Sequence, residues 1–161
     1  MDHTQKGLAG EFYVLAQLTA RGFNASLTLG NTKGVDILVY NEEKKKGYKI
    51  EVKTTSNKPN NVKGGFKKWL KGPNIAWLLN KNCEKNFSDD LIYCFVHLTD
   101  INLLPKFYLV PSKDVAKQAS EIHNFWLNIE REKPVKDSSM RKFGIEITDP
   151  NGYENNWDLL K

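Results

Sequence analysis

Sulfur and imidazole are scarce in this sequence: two cysteines, Cys83 and Cys94, and three histidines, His3, His97 and His123, lie scattered along 161 residues. None of them stands at C-x-x-C or Cys/His spacing, which argues against a structural zinc site, a redox dithiol or a disulfide-stapled scaffold. Any metal would have to be held by oxygen. Long apolar runs are missing as well, none approaching the roughly 20 residues that span a bilayer. The first residues, "MDHTQKGLAGEF", have no basic start followed by an apolar stretch, so the expectation is a cytoplasmic protein with no membrane partner. "GNTKG", Gly30 to Gly34, lacks the spacing of a phosphate-cradling loop and reads as a turn. Internal repeats and low-complexity linkers are also lacking.

What is present suits one globular domain over residues 1–161, with 40% hydrophobic and 27% charged residues and enough length to bury a core unaided. The net charge of +5 permits a polyanionic partner, because clustered lysines release counterions from a phosphate backbone. From Lys6 to Arg21, apolar residues recur at three- and four-residue spacing (Leu8, Phe12, Leu15, Ala16, Leu18) and predict a helix that Gly22 stops. Three strand-like runs follow, "NASLTL", "GVDILVY" and "YKIEVKTT", the last two joined by the hairpin-like "NEEKKKG". Residues 57–73 read as a long loop or a short frayed helix, and "NIAWLLNKNCEKN" reads as helical. "LIYCFVHL" predicts a central strand and "KFYLV" another, before a helix whose core stripe is Val115, Ala119, Ile122, Trp126 and Ile129. "FGIEI" suits an edge strand, and "NNWDLLK" is expected to pack Trp157 and Leu160 onto the body.

Charge enters this pattern at positions where apolar residues are expected. In "YKIEVKTT" the alternation of an extended chain gives Ile50, Val52 and Thr54 one face and Lys49, Glu51, Lys53 and Thr55 the other. A strand with a solvated outer face would look the same. Asp36, however, interrupts "VDILVY", and Glu11 sits within the apolar spacing of the first helix, three residues after Leu8 and four before Leu15. Each alone is also compatible with an edge position or a satisfied buried carboxylate. If the strands bearing Asp36 and Glu51 are hairpin neighbours, the two carboxylates converge. At a separation of about 4.5 Å and an effective dielectric near 20 they repel by about 4 kcal/mol. Lys53 offsets part of this, and a hard divalent cation such as Mg²⁺, which favours carboxylate oxygen, answers the remainder.

These residues resemble the PD-(D/E)XK nucleases, the restriction-endonuclease-like superfamily that includes type II restriction enzymes and archaeal Holliday junction resolvases. The resemblance covers the first third of the chain. It rests on Glu11 in "GEFYVLAQL", Asp36 in "GVDILVY", and Glu51 with Lys53 in "IEVKTT", in the family's order; "GVD" stands where the family name has Pro-Asp. The resemblance implies an α/β fold with a restriction-endonuclease-like core: helix-strand-strand-strand-helix-strand, with a mixed central sheet flanked by helices. It also implies a metal-dependent DNA endonuclease in which Asp36, Glu51 and the Val52 carbonyl hold Mg²⁺, with Mn²⁺ able to substitute. Glu11 would be an outer or second-metal ligand, and Lys53 would orient the attacking water. The alternative is a nuclease-like module that binds DNA or protein without cutting, since fold alone does not confer activity.

For the nucleic acid, Lys58, Lys63, Lys67, Lys68 and Lys71 lie just downstream of the motif, interleaved with Phe66 and Trp69. That mix suits phosphate tracking and base stacking, or else a solvated loop whose aromatics dock on the core. Lys44, Lys45 and Lys46 at the hairpin tip read as solvation. A homodimer is expected, because cutting both strands of a duplex usually needs two active sites; no small-molecule cofactor is expected.

Overall fold

A computed structural model describes residues 2–28, 34–133 and 135–161; most of the "GNTKG" turn and Leu29 of the first strand-like run lie outside them. Helix α1 (His3–Ala20) begins three residues earlier than the apolar spacing suggests, because Asp2 caps it. The Asp2 side chain accepts from the Gln5 N–H at 2.8 Å, and the Gln5 side chain accepts from the Asp2 N–H at 3.1 Å, a reciprocal capping box. Gly22, with φ of +82°, ends the helical turn as expected.

Strands β1 (Asn24–Leu27), β2 (Ile37–Asn41) and β3 (Lys46–Thr55) form an antiparallel meander. β3 then pairs in parallel with β5 (Leu91–His97), which pairs antiparallel with β6 (Lys106–Pro111), so the five-stranded sheet is mixed and ordered β1-β2-β3-β5-β6. All seven residues of β5 are buried, as the unbroken apolar run "LIYCFVH" requires of a strand covered on both faces. α1 covers one face of this sheet, with Val14 and Leu18 packed against Ile37, Ile50, Val52 and Cys94. On the other face, Val115 and Ala119 of helix α2 (Ser112–Leu127) join Ile75, Trp77, Phe95 and Phe143. A closing single turn (Trp157–Leu160) seats Trp157 and Leu160 in the α1-side core, as expected.

Two expectations are corrected. "NIAWLLNKNCEKN" is strand β4 (Asn74–Asn80) followed by a single turn at Lys81–Glu84, not a helix. Ile75, Trp77 and Leu79 alternate inward there, and the partner is β7 (Met140–Glu146), with Trp77 opposite Phe143. The "FGIEI" strand therefore belongs to a second, two-stranded sheet, and the crossover between β3 and β5 runs through a strand where a helix was expected. The stripe on α1 is also different: Leu8 and Phe12 are 47% and 52% exposed, and the buried line runs through Gly10, Val14 and Leu18. Gly10 sets this rotation. A Cβ there would come within 1.9 Å of the Thr54 hydroxyl, so only glycine lets α1 approach β3 this closely. No described helix is long and apolar enough to cross a membrane.

Candidate active site

Asp36 immediately precedes β2, and its backbone is fixed from both sides. Its N–H donates to the Ile50 carbonyl at 2.8 Å and its carbonyl accepts from the Thr28 N–H at 2.9 Å. With Ile37 paired to Ile50, the antiparallel register carried one step further sets Asp36 opposite Glu51. The Asp36 carboxylate accepts the Val52 N–H at 2.7 Å, tying the loop before β2 to the centre of the motif on β3. Gly34, with φ of +76°, lies beside Glu51, close enough that an added Cβ would stand 3.5 Å from one carboxylate oxygen.

Glu51 and Lys53 lie on the same face of β3, as the alternation predicts, and are joined: Lys53 Nζ is 2.7 Å from Glu51 Oε1, with side chains 29% and 15% exposed. The same ammonium donates to the Val52 carbonyl at 3.3 Å. Val52 itself is 6% exposed and packs into the α1-side core, so the motif is anchored from behind by burial. On the neighbouring strand the parallel register places Tyr93 beside Glu51 and Phe95 beside Lys53.

The electrostatics follow from this placement. Burial pushes the Asp36 carboxyl above its ordinary value; the Glu51 charge adds to that, while the Val52 N–H and Lys53 oppose it. Glu11 is likewise raised by burial first and by the Asp36 charge second, with Lys53 opposing. Two carboxyls held above their usual range beside one shared lysine mark a pocket with surplus negative charge.

Asp36, Glu51, Lys53 and the Val52 backbone are thus brought together, and Glu11 lies within electrostatic reach of Asp36 and Lys53. Among the described residues, however, no three His, Cys, Asp or Glu side chains are gathered into one metal-holding group. The set that does converge is two carboxylates and a main-chain carbonyl. These are all hard oxygen donors, the type Mg²⁺ takes, and Mg²⁺ needs few of them because it keeps several waters. The Lys53 ammonium already sits on two of these oxygens, Glu51 Oε1 and the Val52 carbonyl, and marks where positive charge is held.

Lys58, Lys63, Lys67, Lys68 and Lys71 are all exposed, and none of them forms a salt bridge among the described residues. The aromatics between them do not stand free to stack on bases. Phe66 and Trp69 lie 5.0 and 5.4 Å from Phe125 of α2, ring centre to ring centre, and the Trp69 indole donates to Glu121 at 2.7 Å. Of the two readings of this segment, docking on the core holds for its aromatics. Sequence reasoning missed three residues that shape the site: Gly10, Gly34 and Tyr93. The two glycines carried a signal as breaks in otherwise regular patterns, whereas Tyr93 became visible only through the parallel pairing of β3 with β5.

No protein-family model matches this chain, and no curated protein does. Among solved structures, that of a bacterial homing endonuclease, I-Ssp6803I, superposes with a TM-score of 0.52 at 11% identity, covering 99% of this chain and 91% of that one. At such identity the likeness is one of fold, and it extends over nearly the whole of both chains: the protein has a nuclease-like α/β fold.

Proposed function

We propose that the protein is a metal-dependent DNA endonuclease of the PD-(D/E)XK kind, acting as a homodimer in the cytoplasm. The observation that carries this reading is the convergence of Asp36, Glu51 and Lys53 at the β2–β3 hairpin, within a fold shared with an endonuclease. Asp36, Glu51 and the Val52 carbonyl would hold Mg²⁺ or Mn²⁺, with Glu11 as an outer ligand. Bound there, the ion would supply Lewis acidity and a readily deprotonated water at neutral pH.

The chain's own residues account for the rest. The Val52 N–H keeps the Asp36 carboxylate aimed across the hairpin, and burial of Val52 keeps Glu51 and Lys53 projecting to one side. Once released from Glu51, Lys53 is placed to donate to a non-bridging phosphate oxygen and so to stabilise the charge that grows as water adds in line and the P–O bond to the leaving group breaks. The exposed lysines at positions 58, 63, 67, 68 and 71 would contact backbone phosphates, a sequence-independent and salt-sensitive contribution.

The test is nicking of supercoiled plasmid in Mg²⁺, Mn²⁺ or EDTA, with Asp36→Ala and Lys53→Ala as controls. Metal-dependent nicking that disappears in both variants supports the reading. Nicking that survives them removes these residues from the mechanism. DNA binding that is independent of metal and never accompanied by cutting would replace the enzyme with a binding module.

A further inference from the structure

Glu51 is flanked on β3 by Lys53 and across the sheet by a tyrosine. Tyr93 stands opposite Glu51 in the parallel pairing of β3 with β5, and residues paired in this way project to the same face of the sheet. The ring of Tyr93 is 2% exposed and stacks on Phe95 at 5.7 Å and 15°. Phe95 is in turn stacked on Phe143 at 4.6 Å, so the phenol is clamped in an aromatic column and has little freedom to turn away. A core position among Phe95, Phe143 and Tyr108 would accept phenylalanine; the hydroxyl is the feature that packing does not explain. Its environment supplies a reason. Burial and then the neighbouring Glu51 charge hold the phenol in its protonated form, and the Glu51 carboxylate accepts its hydrogen bond.

We infer that Tyr93 is the positioning residue for Glu51: its hydroxyl donates to the carboxylate and keeps it aimed at the Asp36 side of the hairpin when Lys53 leaves to engage substrate. This rests on the proposed metal-dependent reading. Without a second donor, Glu51 would lose its orientation at the moment Lys53 moved, because the 2.7 Å contact to that ammonium is the only other side-chain contact to its carboxylate among the described residues. Partners that orient metal-binding carboxylates from behind typically change metal affinity by about 10- to 100-fold when removed.

The experiment uses Tyr93→Phe, which keeps the ring in its column and deletes only the hydroxyl. Mn²⁺ binding is followed by electron paramagnetic resonance, alongside thermal unfolding and binding to a short duplex in EDTA by fluorescence anisotropy. The expected result is Mn²⁺ affinity weakened about 10-fold or more, with metal-free DNA binding and near-ultraviolet circular dichroism unchanged. Raising Mn²⁺ should then restore plasmid nicking to the wild-type rate, a rescue that a merely structural role would not give. Unaltered Mn²⁺ affinity in Tyr93→Phe would overturn the inference and leave the metal site standing. Wild-type protein that binds no Mn²⁺ would overturn both, so the two failures are distinguishable.

Discussion

The chain carries two buried or half-buried knots of charge, built in opposite ways. Around Arg141 of β7, every charge has an answer: the guanidinium, 5% exposed, donates to Glu84, to Asp137 and to the carbonyls of Ser138 and Met140, and His123 donates to Asp137 at 2.7 Å. Around Asp36 three carboxylates face one ammonium, and two of the three are pushed above their ordinary range. Asp137 is shifted in the opposite sense, held below the usual carboxylate range by its hydrogen bond from His123 and by Arg141. A finished network of this sort locks strand β7 to α2 and to the turn after β4. The unfinished one has an electrical need that folding alone leaves unmet. That contrast, more than the presence of acidic residues as such, separates a structural cluster from a candidate site.

Substitutions in the two knots should therefore act on different properties of the molecule. The largest effect is expected at the unfinished knot: Lys53→Ala or Asp36→Ala lowers the plasmid nicking rate by about 10³-fold, with little change in melting temperature, because such groups stabilise transition-state charge more than the fold. Arg141→Met should show the reverse. Leaving Glu84 and Asp137 without their partner costs about 3 kcal/mol in urea unfolding, while Mn²⁺ affinity stays at the wild-type level. Equal behaviour of the two knots in these assays would erase the distinction.

The next effect concerns pH. A carboxyl whose folded value is raised opposes folding once ionised. The cost of Asp36 and Glu11 is therefore absent below the ordinary values of 3.8 and 4.5, and it is complete above their raised folded values. Asp36→Asn keeps an acceptor for the Val52 N–H and removes the charge. It should melt a few degrees higher than wild type at neutral pH in EDTA, and the difference should vanish toward about pH 3. Mg²⁺ should raise the wild-type melting temperature and leave Asp36→Asn unmoved, by the linkage between binding and stability. Asp137 contributes in the opposite sense, its stabilisation being present at neutral pH and disappearing as pH falls through its lowered folded value.

The smallest effect is expected at the loop lysines. Replacing Lys67 and Lys68 by alanine should weaken DNA binding uniformly across sequences and reduce the slope of log affinity against log salt by roughly 0.9 for each phosphate that is no longer neutralised.

Much of this architecture is written locally. β3 and the hairpin before it follow from period-two alternation and a charged turn, and with the hairpin comes the Asp36–Glu51 pairing, because antiparallel neighbours joined by a short loop have little choice of register. β5 follows from an apolar run too short for a helix of ordinary length. β4 is illegible for a physical reason: "NIAWLL" has apolar residues compatible with either period, and the partner that decides the matter, β7, lies near the other end of the chain. The buried face of α1 departs from the apolar spacing because Gly10, which offers no side chain to a core, is the residue whose missing Cβ the packing uses. Tyr93 cannot be found from sequence because parallel register between distant strands leaves no local mark. Glu11 is legible as an intruding charge, but its separation from the other two acids depends on how close α1 comes to β3.

Whether the unfinished knot is a metal site can be read from diffraction at the manganese edge, using crystals soaked in Mn²⁺. An anomalous peak between the Asp36 and Glu51 carboxylates, with Lys53 displaced from Glu51, is the predicted result. Crystals that take up no Mn²⁺ there, and in which Lys53 still bridges Glu51 and the Val52 carbonyl, would contradict it.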